Sequence, residues 1–327
     1  MKDERRAPWR ASAILCTHNG AARIEETLEA LIRQDLPPDA FEILVVDNAS
    51  SDATPEVLRR AGARHPGRIR VVREPVLGLS QARNRAIRES RGGVIAFSDD
   101  DARPSPRWLR ALVETCERPE VGCAGGPVQT EGELPSWIAP PFLLYLAAFD
   151  KGRNTVELSY DEYPRGVNIA FPRRSFQEVG LFSTALGRKG RSLLSYEEIE
   201  LCYRLERRGR RILYVPEADV THVIHASRLT VDWFKRRFYW QGKSVAYFDL
   251  IHHGRRFAMA RLKEHCRAAW AARAGPSRPD DPARLHRDWR TWTCAGYAVG
   301  TVQGWTTGIA RRARPPSYDG AASPIHS

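Results

Sequence analysis

Residues 92–101 read GGVIAFSDDD. Two glycines open the stretch, an apolar run fills it, and three carboxylates end it. A short, continuous apolar run bounded in this way has the pattern of a strand buried on both faces. Such a strand belongs to a parallel sheet with helical cover, and the flanking sequence agrees. Upstream, LSQARNRAIRES (79–90) reads as a helix with a basic face and RIRVVRE (68–74) as a strand. TPEVLRRAGARH (54–65) is a further helix, and FEILVVDNAS (41–50) a strand ending in a polar turn. In THNGAARIEETLEALIRQ (17–34), Ile24, Leu28 and Leu31 share one helical face, and SAILC (12–16) begins the series as a strand. Downstream, PSPRWLRALVETCERP (104–119) starts with prolines and continues as a helix. Strand–helix alternation of this kind predicts an α/β domain up to about residue 125.

The remainder is less regular. GVNIAFPRRSFQEVG (166–180) reads as a strand and a short helix, and LLSYEEIELCYRLERRGR (193–210) as a clear helix. RILYVPEADVTHVIH (211–225) reads as a strand with an irregular end. From Val231 to Gly275 the chain is aromatic and basic, which predicts one or two amphipathic helices. GPSRPDDPARLH (275–286) is a Pro-rich break. Trp292–Ala310 is uncharged but rich in Gly and Thr, and reads as a buried or interfacial helix rather than a membrane span.

The 327 residues carry 51 Lys+Arg against 39 Asp+Glu, a formal charge of +12 that favours anionic partners: nucleic acid, nucleotide phosphate or acidic lipid. The six cysteines include no CxxC pair, which argues against a zinc knuckle and for free thiols in a reducing compartment. MKDERRAPWR is not followed by an apolar stretch long enough for a signal peptide. The expected location is the cytoplasm.

Three adjacent carboxylates at the carboxyl end of a buried strand sit where open α/β sheets bind ligands. Were the chain to stay extended, Asp99 and Asp101 would point the same way. A hard divalent cation, Mg2+ or Mn2+, would relieve their repulsion. The competing reading is a polar turn into the next helix. No GxGxxG follows the first strand and no GxxxxGK[ST] occurs, which argues against a dinucleotide dehydrogenase and a P-loop enzyme. Ser195 and Glu198 form S-x-x-E, which can be a helix capping box. Asn19 can cap the helix that follows it.

The ordered set AILCTHN, EILVVDNASSD, LGLSQARNRAI, IAFSDDDARPSPRWL, RGVNIAFPR, YEEIELCYRL and ILYVPEADVTHV, with Arg228 trailing, resembles the family 2 glycosyltransferases over roughly residues 10 to 250. The resemblance implies a GT-A (Rossmann-like) mixed sheet flanked by helices, followed here by a basic helical C-terminal extension. It implies a catalytic domain over 10–230, divided into a nucleotide-binding half (10–125) and an acceptor-binding half (126–230). An extension over 231–312 and a flexible tail over 313–327 follow.

The implied chemistry is inverting transfer from a nucleotide-diphosphate sugar to a hydroxyl of a glycan, glycolipid or small molecule, with Mn2+ or Mg2+. Residue by residue, the resemblance makes Glu198 the general base, in a place where the family usually has Asp. It makes Asp101, Asp99 and His222 metal ligands, with His225 nearby. Thr17, Asn19, Asp47, Arg83, Asp99, Asp100, Arg188 and Arg228 become donor contacts. Arg188 and Lys189 lie in a glycine-bracketed loop suited to ordering over an anion. On the acceptor side, Glu197 and Trp137 are the candidates, with Phe142 and Tyr145 near Trp137 as platform, lid or core. The basic aromatic segment would suit peripheral contact with the inner face of a membrane. Two rival classes are a sugar nucleotidyltransferase and a non-enzymatic basic nucleic-acid-binding protein. The first lacks its glycine-rich loop and the second any recognisable module, so no nucleic-acid partner is expected.

Overall fold

The computed structural model describes residues 9–272 and 282–318. The N-terminal residues 1–8, most of the Pro-rich break (273–281) and the end of the expected tail (319–327) lie outside the described residues. The first half alternates as the apolar runs predict: β1 (Ala11–Thr17), α1 (Ile24–Ile32), β2 (Phe41–Asp47), α2 (Thr54–Arg64), β3 (Ile69–Arg73), α3 (Leu79–Glu89) and β4 (Val94–Asp99). A short β5 (Ala102–Pro104), α4 (Trp108–Cys116) and β6 (Val121–Gly125) complete it. The second half comprises β7 (Val128–Glu131), a 3-10 turn (Pro140–Leu146), β8 (Val156–Leu158), β9 (Asn168–Pro172), α5 (Arg173–Val179), α6 (Glu197–Glu206), β10 (Arg211–Tyr214) and β11 (Val220–Val223). The extension is α7 (Val231–His252), α8 (Gly254–Ala272), α9 (Pro282–Thr306) and α10 (Ile309–Arg312).

Eight strands form one mixed sheet in the order β3-β2-β1-β4-β9-β6-β10-β8. The first-half strands β3, β2, β1 and β4 run parallel, and β9 is antiparallel to its neighbours β4 and β6. All of β2 is buried, as an uninterrupted FEILVVD run requires. Register aligns Thr17 with Asp47 and Cys16 with Asp99, so the carboxyl ends of β1, β2 and β4 share one edge. The segment 211–225 is two strands rather than one. Pro216 lacks the donor a central strand needs, and the chain turns there, with Ala218 N–H donating to the Val215 carbonyl at 3.1 Å. It then re-enters as β11 in a three-stranded sheet, β5-β11-β7. Asn168 ties the two sheets together. Its amide donates to the carbonyls of Pro127 and Ala218 and accepts from the Trp108 indole, so a buried polar side chain is satisfied on both ends.

The extension packs as a helical layer. A Cβ on Gly296 would stand 1.8 Å from the Tyr239 carbonyl oxygen, so the α7 and α9 backbones meet where no side chain fits. This accounts for three glycines of the 292–310 segment, Gly296, Gly300 and Gly304, which serve helix contact, while Gly308 takes the left-handed turn into α10. No helix among the described residues is long and apolar enough to cross a membrane. Ile138, Phe142 and Leu146 pack with Phe234, Phe238 and Leu285, which fixes the extension to the 3-10 turn beside the sheet. The first residues of the expected tail are docked: Leu181 N–H donates to the Pro316 carbonyl and Ser183 to that of Ala313.

Candidate active site

The shared strand edge opens into a cavity of about 340 Å3 between the two halves. The DDD triplet does not stay extended: β4 ends at Asp99, and the chain turns through Asp100 and Asp101. The three carboxylates therefore part company. Asp99 faces the cavity, 4.0 Å from Arg83 Nη2. Asp100 accepts from Arg23 at 2.8 and 3.0 Å and from the Thr17 hydroxyl at 2.5 Å, so it braces the β1 end. Asp101 turns toward β11, where pairing of His222 with Ala102 brings the imidazole alongside it.

His222 Nδ1 lies 3.0 Å from the Leu146 carbonyl, and donation to that oxygen leaves the Nε2 lone pair facing the cavity. Nε2 and Asp101 Oδ1 stand 3.3 Å apart, a separation that a proton on the imidazole or another cation can bridge. The Arg228 guanidinium does so here, donating to Asp101 Oδ2 at 2.8 Å and reaching Nε2 at 3.2 Å. Burial opposes ionisation of Asp101, but His222 and Arg228 outweigh it and hold the carboxyl below its usual range. A divalent ion with ligands about 2.1 Å away would seat its cis ligands about 3 Å apart, so this donor pair fits one. Among the described residues no three His, Cys, Asp or Glu side chains are grouped closely enough to hold a metal, because Asp99 stands apart from the other two. His225 caps the short turn after β11 and does not line the cavity.

Glu197 and Glu198 open α6, following Tyr196 in a left-handed conformation (φ 84) that is rare for a bulky residue. No capping box forms. Ser195 bonds with Ser244 of α7, and the Glu198 carboxylate accepts from Arg83 Nη1 at 2.7 Å. Arg83 is buried on α3 and also reaches Glu197 at 3.3 Å. Gly166 makes this approach feasible, because a Cβ there would fall 1.9 Å from Glu198 Oε1. Burial and the neighbouring Glu198 charge push Glu197 up to about 8. Burial acts the same way on Glu198, but the Arg83 guanidinium more than offsets it and holds this carboxyl below its ordinary value. Burial and the Glu198 charge thus favour the proton on Glu197, while Arg83 favours the ionised form of Glu198. Glu200 points elsewhere, to Arg204 at 2.8 Å and His252 at 3.1 Å.

The cavity thus gathers Thr17, Arg83, Asp99, Asp100, Asp101, Arg188, Glu197, Glu198, His222 and Arg228. It does not gather Asn19, Asp47 or Trp137. Asn19 is no helix cap: its side chain accepts from Ser51 N–H at 2.8 Å and joins two turns. Asp47 accepts from Ser50 N–H at 3.1 Å, and Asn48 next to it lines the cavity. Trp137 packs edge-on against Phe234 at 5.5 Å, in the second core. Phe142 is core as well, while Tyr145 lines the cavity. The sequence reading missed His18, Arg23, Tyr163, Arg165 and Arg237. His18 and Arg165 stood in the quoted motifs AILCTHN and RGVNIAFPR, and Arg237 among the aromatics of a basic helix, but none was given a role in the site.

A family model described as glycosyl transferase family 2 matches residues 12–180. The glucosyl-dolichyl phosphate glucuronosyltransferase of Haloferax volcanii is 30% identical over 261 residues, covering 74% of this chain and 78% of that one. The succinoglycan biosynthesis protein ExoM of Rhizobium meliloti is 26% identical, covering 78% and 77%. Among solved structures, the mannosyltransferase PcManGT of Pyrobaculum calidifontis, in complex with GDP-Man and Mn2+, aligns with a TM-score of 0.55 at 23% identity, covering 94% of this chain and 79% of that one. GalNAc-T7, solved with UDP, GalNAc and Mn2+, aligns at 0.54 and 17%, covering 96% and 60%. At these identities the structural likeness is one of fold. The family match spans more than half of the chain, which therefore belongs to glycosyl transferase family 2 and is a glycosyltransferase.

Proposed function

We propose that the chain moves a sugar from a nucleotide-diphosphate sugar to an acceptor hydroxyl, with inversion and with a divalent metal. One observation carries this reading: Glu198, bonded to Arg83 at 2.7 Å, and the Asp101–His222 pair line one cavity at the strand edge. The nucleoside lies along Thr17, His18 and Asn48, while Asn19 and Asp47 shape the turns behind them. Arg188 and Arg228 bind the diphosphate, and Asp99 meets the donor ribose or sugar. Asp101 and His222 would hold Mn2+ or Mg2+, which accompanies the nucleotide in both solved structures as Mn2+. When bound, the ion neutralises charge growing on the leaving diphosphate. Glu198 takes the acceptor hydroxyl proton as that oxygen attacks the anomeric carbon opposite the diphosphate, and the sugar–phosphate bond breaks. Arg83 is a positioning residue: it keeps Glu198 ionised and aimed.

Titration of the protein with a panel of UDP-, GDP- and dTDP-sugars tests this. One donor is expected to bind at least about tenfold more tightly with Mn2+ than with chelator, and to hydrolyse slowly. A folded sample that binds no donor under either condition sinks the proposal.

A second observation bears on where the acceptor resides. Trp270 is 77% exposed and Trp305 47%. Beside Trp305 and Met259, the basic residues Arg255, Arg256, Lys263 and Arg267 line one groove on the extension. Aromatic residues rimmed by cations suit the interface of an anionic membrane. The protein is expected to sediment with phosphatidylglycerol vesicles and not with phosphatidylcholine vesicles, and to be released by salt. Equal behaviour toward both kinds removes this part of the proposal.

A further inference from the structure

The arginines lining the cavity fall into two classes. Arg23, Arg83 and Arg228 each hold a carboxylate: Asp100, Glu198 and Asp101. Arg165, Arg188 and Arg237 also line it, yet none of them is ion-paired to a carboxylate of the described residues. The donor diphosphate accounts for Arg188, which leaves two cations without an anion.

Arg237 projects from α7 of the extension. Its Nη1 is buried with no hydrogen-bond partner, and its guanidinium carbon lies 5.7 Å from the Tyr145 ring centre. Arg165 precedes β9. Its Nε is likewise buried and unpartnered, and its guanidinium lies 4.9 Å from the ring centres of both Tyr163 and Phe149. Tyr163 lines the same cavity as both arginines. The Tyr163 hydroxyl bonds with Arg165, but the ring faces attract the two guanidiniums without giving Arg165 Nε or Arg237 Nη1 an acceptor. Arginine cannot shed its proton to escape, and a buried donor left unmade is costly. The missing partner is an oxyanion, which a planar guanidinium fork binds best. Arg237 and Arg165 share this cavity with Glu198, the base that the acceptor hydroxyl must reach.

We propose that Arg237 and Arg165 form an oxyanion subsite for the acceptor, taking a phosphate or carboxylate carried by the molecule whose hydroxyl is glycosylated. The word acceptor rests on the function proposed above; the anion site itself does not. The donor diphosphate is the other source of the same chemistry, and the two are separable. The extension is then part of the active site, since it supplies one of the two cations.

Phenyl phosphate serves as probe, with benzoate as the carboxylate counterpart and phenol as the neutral control. Each is titrated calorimetrically into the full-length protein, first alone and then saturated with a nucleoside diphosphate and Mn2+. The loaded protein is expected to bind phenyl phosphate or benzoate but not phenol. Arg237→Gln and Arg165→Gln should each weaken that binding at least about tenfold, with partial recovery in Arg237→Lys, while nucleoside diphosphate affinity changes less than about twofold. The lysine variant and the second site keep the result readable should Arg237→Gln fold poorly. Probe binding unchanged in both glutamine variants overturns the proposal. Equal loss of nucleoside diphosphate and probe overturns it too, and assigns Arg237 to the donor. If no nucleoside diphosphate binds, the proposed function fails, and titration of the unloaded protein still reads the anion site.

Discussion

Glu198→Gln is expected to lower the rate of sugar transfer about a thousandfold, within the range a general base contributes, while donor affinity stays within about twofold. The substitution keeps the side-chain length and removes the negative charge. The local fold has a reserve: Glu197, pushed up to about 8 largely by burial and by the Glu198 charge, loses that second influence and can ionise against Arg83. The ion pair shifts by one residue and the helix start survives, so lost turnover reports chemistry.

The pH profile of the native protein carries the same argument. A base must be ionised, and Arg83 holds Glu198 below its ordinary value. The rate should be flat between about pH 5 and 7 and fall only further into acid. A second inflection is expected where Glu197 loses its proton, about 8, because two carboxylates then share Arg83 and its hold on Glu198 weakens. Glu197→Gln should abolish that inflection and leave the acid limb. Transfer rates from about pH 3 to about pH 9 for the three proteins check this. A Glu198→Gln protein retaining more than about a tenth of the rate would move the base elsewhere.

How much of this was legible beforehand follows from what each signal encodes. The buried runs VIAF and FEILVVD have a single use in an α/β protein, and both strands formed where they were read. Motif order likewise brought Arg83, Asp99, Asp101, Glu198 and His222 to one cavity, though they are far apart in the chain. Local geometry was less visible. The DDD triplet left an extended end and a polar turn both open, and the turn after Asp99 sends its members to three different partners. S-x-x-E matched a capping box, yet Arg83 from α3 offers Glu198 a charged partner stronger than a backbone N–H, and no local pattern encodes that. Trp137 stood among prolines and aromatics, which resembles both a sugar platform and a core. Packing against Phe234 decided for the core, and Phe234 lies nearly a hundred residues away. Arg165 and Arg237 were hidden for the same reason: an arginine's lack of a partner is a property of tertiary structure.

Asp101→Asn should reduce turnover by about two to three orders of magnitude and remove most of the difference between Mn2+ and chelator. Asparagine preserves the shape of a side chain that is 5% exposed, whereas alanine would leave Arg228 facing a void. Loss of turnover alone would be ambiguous, because Asp101 has a visible structural occupation: it anchors Arg228 at 2.8 Å. The two roles make opposite demands on that arginine. If Asp101 serves mainly to anchor Arg228, then Arg228→Gln and Asp101→Asn interrupt one interaction and should share one phenotype. If Asp101 and His222 are metal ligands, the guanidinium lies where the ion must go and competes with it. Arg228→Gln should then keep or increase Mn2+ affinity in the absence of nucleotide, while Asp101→Asn and His222→Ala lower it. Manganese binding read by electron paramagnetic resonance on the three variants separates the cases without any turnover. Parallel loss of Mn2+ binding in Arg228→Gln and Asp101→Asn would make Asp101 an anchor and send the search for the metal site to the exposed Asp99 side of the cavity.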